Sequence, residues 1–344
     1  MSREEINPVL VEVMRGGVLE SFHRGAICIV DENGRIVHSK GNIHQLCYPR
    51  SAMKLLQAIP LIVKGGIKKF NFTRKEISVM CGSHNAEAEH LETVRSILTK
   101  IGCTEHDLSC GAQYPTYKKD ADEMLIQGIK PGPIHNNCSG KHAGMLALCK
   151  LMGASIKNYL HAEHPAQQEI RKVCSLFYEY PESEMTIALD GCTAPIFSIP
   201  VYNQAIAYKN LVSAKKFGAE YEDACNTIIN AISAHPFMIA GSKRYCTEMM
   251  NITAPKIIGK TGAEGIFCMT FTGEKLGVCV KIDDGKMQPQ YNVAQALVEA
   301  SGLFSSDQLS PIHHYMQQEI KNFNKLNTGE IRTVKGLFDG FSLA

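Results

Sequence analysis

Strand-like stretches lie at the two ends of this chain and helical stretches fill its middle, and that arrangement restricts the folds open to it. Near the N-terminus, residues 8–15, 18–24 and 26–31 are β-rich, and Asp31-Glu32-Asn33-Gly34 is a hairpin signal leading into a strand at 36–38. Strands return at 256–258, 265–272 and 275–283, with a last one at 331–335. Between the two sets, helices are expected at 51–64, 87–101, 139–152, 165–178, 221–233 and 242–251. Two more are expected at 293–303 and near 313–323. Leu91, Val94, Ile97 and Leu98 share one face of the second helix, Pro60 kinks the first, and Gly153 stops the third. Terminal strands can share one antiparallel sheet while the helices form a second lobe. The expected fold is therefore α+β in a single domain, with a sheet lobe from about 1–49 and 252–344 and a helical lobe from about 50–251.

Charge and hydropathy remove several function classes. The 344 residues carry a formal net charge of +2, with no long Lys/Arg run, so nucleic acid or an anionic membrane surface is not the expected partner. No stretch approaches the ~18–20 apolar residues of a membrane helix. The opening MSREEINPVL lacks the basic-then-apolar order of a secretory signal, so a cytoplasmic protein is expected. Thirteen cysteines, an odd number without a framework spacing, then read as reduced thiols rather than disulfides.

Three short motifs carry serine and lysine. In PRSAMKLL, Ser51 and Lys54 lie three apart at a helix start and share a face. A neutral lysine amine can take a serine proton, and the free N–H groups of a helix start can support developing negative charge. Alone the spacing says little, since Ser213-x-x-Lys216 repeats it on what reads as a solvated surface. In CGSHNAEAEH, Ser83 or Asn85 reads equally as a helix cap, with Glu87 and Glu89 at the positive end of the dipole, or as a proton relay. In IIGKTGAEG, Lys260-Thr261-Gly262 is either a glycine-rich turn or a strand that faces a nucleophile with a cation and a hydroxyl. Taken in order, Ser-x-x-Lys, Ser-x-Asn and Lys-Thr-Gly match the sequence of motifs in serine β-lactamases and penicillin-binding proteins. Ser83 with Lys260 would then stand beside Ser51 with Lys54, and a second ammonium would help keep Lys54 neutral.

A second set carries cysteine. HNNCSGKHAG places Cys138 at a helix start, three residues before Lys141, and both features favour thiolate. DGCTAPIF adds Asp190 and Cys192, and Cys246 begins a later helix. The stretch is no phosphate loop, because seven residues separate Gly132 from Gly140 and His142 follows the lysine. Cys-x-x-Cys is absent, which disfavours a redox pair. Two roles remain open for Cys138: a buried thiol, or one of two thiolate ligands to zinc together with Cys192.

RSAMKLLQA, CGSHNAEAEH, HNNCSGKHAGML, DGCTAPIFSIP and KTGAEG, spread from Arg50 to Gly265, resemble the asparaginase II family, the rhizobial-type or class 3 L-asparaginases. The resemblance implies a fold like serine β-lactamases and β-lactamase-like glutaminases, a homodimer, and hydrolysis of L-asparagine to L-aspartate and ammonia. It implies two Ser–Lys pairs at Ser51–Lys54 and Ser83–Lys260, and a zinc-binding group at Cys138, Lys141 and Cys192. It implies substrate-site roles for Arg50, His142, Asp190 and Cys246, and leaves Cys47 and Cys81 as packing thiols. A glutaminase or other amidase of the same fold is the alternative.

Overall fold

The computed structural model describes residues 6–343. They form two compact units, one from residues 6–52, 200–209 and 259–343, the other from 53–199 and 210–258.

The first unit is a sheet built from both ends of the chain. Its strands are β1 (Val9–Arg15), β2 (Val18–Val30), β3 (Ile36–Lys40), β4 (Ile257–Gly262), β5 (Ile266–Phe271), β6 (Leu276–Ile282), β7 (Gln317–Lys321) and β8 (Asn327–Thr333). They run in the order β7-β8-β1-β2-β6-β5-β4, with β3 also on β2. Val11 pairs with Thr333 and Cys28 with Cys279, both antiparallel, so each terminal segment completes the other's hydrogen bonding. The second half of β2 and nearly all of β5 and β6 are buried, which explains their unbroken apolar runs. The helix Met287–Ala300 packs on β5, β6, β1 and β8. The helix Val201–Asn210 comes so close at Gly277 that a Cβ there would lie 2.0 Å from Ala205 O. Only glycine fits that approach.

Two expectations change here. The two N-terminal segments at 18–24 and 26–31 are one continuous 13-residue strand. The helix expected near 313–323 is instead a short 3-10 turn, Ser310–Tyr315, followed by strand β7. Ile312, Met316, Ile320 and Phe323 recur at helical spacing, but a turn overrides it: Asn322 N–H donates to Leu326 O and Lys325 takes a left-handed φ of 62°. The following strand pairs back, with Gln318 opposite Ile331.

The second unit is helical: α1 (Lys54–Val63), α2 (Arg74–Met80), α3 (Ala88–Lys100), α4 (Ser139–Met152), α5 (Pro165–Tyr178), α6 (Ala219–Ala234) and α7 (Tyr245–Thr253), with shorter helices between some of them. α1 is apolar on most sides because it packs against α4, α5 and α6. α4 begins at Cys138 and ends at Gly153, whose φ of 67° suits a glycine cap. α3 starts later than the cap reading expects. Its N-cap is Glu87, which makes no side-chain cap bond, so Ser83 and Asn85 lie upstream of the helix and do not cap it. Asp190 and Cys192 lie in the turn of a small hairpin between Ile187–Leu189 and Pro195–Phe197. Among the described residues, no helix is long and apolar enough to cross a membrane, and all thirteen cysteines are free thiols.

Candidate active site

Each unit holds part of the candidate set. In the first, Arg50 and Ser51 open a 3-10 turn, Arg50–Met53, that runs on into α1. Arg50 has a φ of 51°, a left-handed conformation that costs a residue with a Cβ about 1–3 kcal/mol and is held only where surrounding structure demands it. Its Nη1 lies 3.7 Å from Glu264 Oε1. Lys260, Thr261 and Gly262 end β4, so the Lys-Thr-Gly motif is on a strand rather than a turn. A Cβ on Gly262 would fall 2.5 Å from Pro49 O, so this glycine lets the Pro49-Arg50-Ser51 segment approach the motif. Lys260 is fully buried and its Nζ donates to Thr261 O at 2.8 Å. Gln290 donates to Thr261 Oγ1 and Tyr291 OH lies 3.1 Å from the same atom, which fixes that hydroxyl.

In the second unit, Lys54 is buried at the start of α1. Its Nζ lies 2.9 Å from Ser83 Oγ, 2.6 Å from Gly82 O and 3.5 Å from Asn137 O. Ser83 thus has Lys54 within hydrogen-bond reach. All three partners are oxygens that can accept from Nζ, so the lysine head is held by hydrogen bonds on several sides. The Ser83 loop is tightly held. Ser83 N–H donates to Ile239 O at 2.8 Å, while Asn85 accepts from Thr116 and Arg244 and donates to Ser242 O.

The cysteine set also assembles in this unit. Cys138, Asp190 and Cys192 bring two sulfurs and a carboxylate oxygen within 4.8 Å of one another. Lys141, in the first turn of α4, donates from Nζ to Cys192 Sγ at 2.9 Å. Cys138 loses its proton well below the usual thiol range, first because Cys192 hydrogen-bonds it and then, against burial, because Lys54 and Lys141 are near. Cys192 moves upward as the donor in that bond. Burial works against a charge on Lys141, but Cys138, Cys192 and Asp190 outweigh it and hold the ammonium above the usual lysine range. The donor set fits a thiophilic divalent ion such as zinc, with Asp190 joining the two cysteines and Lys141 within reach once it gives up its proton.

His142 is fully buried, and its Nδ1 lies 2.7 Å from Tyr159 OH, which accepts from Ser109 N–H at 2.9 Å. Burial, with Lys141 and Lys54, keeps this imidazole neutral well below the usual histidine range. Tyr159 then gives its proton to Nδ1, and Nε2 carries an N–H for which there is no partner among the described residues. Cys246 is buried in the first turn of α7, next to Tyr245 and the Arg244 that grips Asn85.

Sequence reasoning assigned no role to three residues that hold this site: His84, Asn137 and Tyr159. His84 and Asn137 stand inside quoted motifs, so their position was visible and their contacts were not. Nothing in the local pattern marks Tyr159.

Residues 11–333 match a protein family described as L-asparaginase II. Comparison with curated proteins gives no match. Among solved structures, a β-lactamase from Mycobacterium bovis is 13% identical, over 80% of this chain and 94% of that one, with a TM-score of 0.40. A putative β-lactamase from Bacteroides dorei is 9% identical, over 80% of this chain and 92% of that one, with a TM-score of 0.43.

Proposed function

The chain belongs to the L-asparaginase II family, and from that premise we propose that this amidohydrolase cleaves the side-chain amide of L-asparagine to give L-aspartate and ammonia, with Ser51 as nucleophile. The observation that carries the reading is the buried contact between Lys54 Nζ and Ser83 Oγ at 2.9 Å. A lysine so placed, three residues after Ser51, can take the proton of one serine and exchange it with the other.

In this reading Ser51 attacks the amide carbon as Lys54 accepts its proton. Backbone N–H groups at the Arg50–Met53 turn support the oxyanion. The proton passes from Lys54 to Ser83 and on to the departing nitrogen, with Lys260 stabilising the relay. Water, deprotonated by the same lysine, then opens the aspartyl ester. Arg50 takes the substrate's α-carboxylate, for which a guanidinium fork is suited. The Nε2–H of His142 donates to the substrate. Zinc held by Cys138 and Cys192, with Asp190 or Lys141, would supply a Lewis acid that orients and polarises the substrate. A homodimer is part of the same proposal.

The Lys54–Ser83 contact also favours a second assignment within the same reaction, with Ser83 as nucleophile. Ammonia release from L-asparagine and L-glutamine by the wild type, Ser51→Ala and Ser83→Ala separates these. We expect asparagine to be preferred, Ser51→Ala to lose at least about 10³-fold in kcat, and Ser83→Ala to lose about 10²-fold. Near-wild-type turnover by Ser51→Ala, with none by Ser83→Ala, would exchange the two roles. Faster turnover of glutamine would make the enzyme a glutaminase.

A further inference from the structure

Ser83 and Cys138 come from distant parts of the chain, and one side chain sits between them. His84 is fully buried and both of its ring nitrogens are engaged. Nδ1 lies 3.1 Å from the backbone nitrogen of Ala86. A backbone N–H can only donate, so Nδ1 carries no proton. Burial, with His90, Lys54 and Arg244, holds the ring neutral well below the usual histidine range. The single ring proton is therefore on Nε2, which donates to Ser139 Oγ at 2.9 Å. The main chain adds a second tie, from His84 N–H to Asn137 O at 3.2 Å. His84 thus grips the residues on either side of Cys138, while its own chain neighbour is Ser83.

Aromatic stacking also packs against the buried ring. His90 stacks on it with centroids 5.1 Å apart and 16° between planes, and Phe237 stacks on His90 at 4.7 Å. Ala86, whose N–H the ring accepts, has a φ of 63°, a conformation that residues with a Cβ rarely adopt. Strain of this kind persists only where contacts over-determine it.

We propose that His84 is a positioning residue that locks the Ser83 hydroxyl in register with the Cys138/Cys192 centre. The proposal rests on the amidohydrolase reading, in which Ser83 handles a proton and the sulfur centre orients the substrate. Its physical basis is rigidity: a group misplaced by about 1 Å can cost 10²-fold in rate, and partners of metal ligands typically matter 10–100-fold.

The test is a double-mutant cycle on the full-length protein with His84→Asn and Ser139→Ala. Asparagine keeps an acceptor for the Ala86 N–H but is too short to reach Ser139. Ser139→Ala removes the acceptor with a minimal cut, so the cycle retains an arm if His84→Asn folds poorly. Two quantities are read: kcat and KM for ammonia release from L-asparagine, and binding of Cd²⁺ alone, followed by thiolate-to-metal ultraviolet absorption. Each single variant should lower kcat about tenfold with KM within about twofold, and weaken Cd²⁺ binding about tenfold. The double variant should be no worse than the worse single variant. Unchanged Cd²⁺ affinity in both single variants, or effects that multiply, overturns the clamp. If the wild type releases no ammonia from L-asparagine, the proposed reaction fails and the Cd²⁺ cycle still decides the role of His84.

Discussion

At the residue scale, burial and tautomer decide what each polar side chain contributes. His84 illustrates the cost. In the unfolded chain it takes up a proton near pH 6.5, and in the fold it resists protonation well below that. Between the two values the unfolded chain binds more protons, so stability falls as pH falls. The slope is about 1.4 kcal/mol per pH unit for one such ring. Urea midpoints measured at about pH 7, 6 and 5 should therefore fall more steeply for the wild type than for His84→Asn, since the other buried histidines act in both. Equal slopes would mean that His84 is charged in the folded protein. The motif residues Ser83, Cys138, Lys141 and Cys192 could be picked out as chemically capable from the sequence, because lysine three after cysteine at a helix start has meaning in one dimension. Tyr159 could not. It matters only because the fold brings its hydroxyl to His142, 17 residues away.

At the scale of elements, α4 shows how one helix is held by different means at its two ends. Near its start, a Cβ on Gly140 would meet Val79 O at 2.3 Å, a backbone atom at the end of α2 that cannot swing aside. At its end, Gly153 has open space around it and a φ of 67°. Gly140→Ala should therefore cost about 1–3 kcal/mol by overpacking and push Cys138 and Lys141 out of place. Gly153→Ala should cost about 1–2 kcal/mol by backbone strain alone and leave Cd²⁺ binding unchanged. Denaturant midpoints beside a Cd²⁺ titration distinguish them; weaker Cd²⁺ binding in Gly153→Ala would reject the second mechanism. The bounds of α4 and α5 were readable from the sequence because caps, Pro165 and Gly153 are local signals. The helix expected near 313–323 failed because helical spacing is only a preference, and pairing of β7 with β8 outweighs it. The Ser83 loop failed as a cap for a related reason: its polar atoms find partners 29 and 157 residues away rather than at the start of α3.

For the whole molecule, the decisive feature is that β1 and β8, and β2 and β6, pair across most of the chain's length. Such a sheet cannot close until its last strands exist, so folding should be slow and governed by non-local contacts. A chain ending at Gly302 should make the point. It lacks β7 and β8, leaves the edge of β1 without its partner, and removes the buried Leu309, Ile312, Leu337 and Phe338. Loss of soluble protein on expression is expected; a soluble fragment with the full chain's melting temperature would show that the two strands are dispensable. The sequence by itself determined the α+β class, the antiparallel strands at both ends, most helices, and which side chains are chemically capable. These follow from periodicity, caps and spacing, which act over a few residues. Only the tertiary structure decided that Lys54 meets Ser83, that Asp190 joins Cys138 and Cys192, and that His84 ties Ser83 to the start of α4. Lys54 and Ser83 stand 29 residues apart, Cys138 and Asp190 52, and His84 and Ser139 55, so no local preference encodes these contacts, and the packing of the elements selects among the polar groups available.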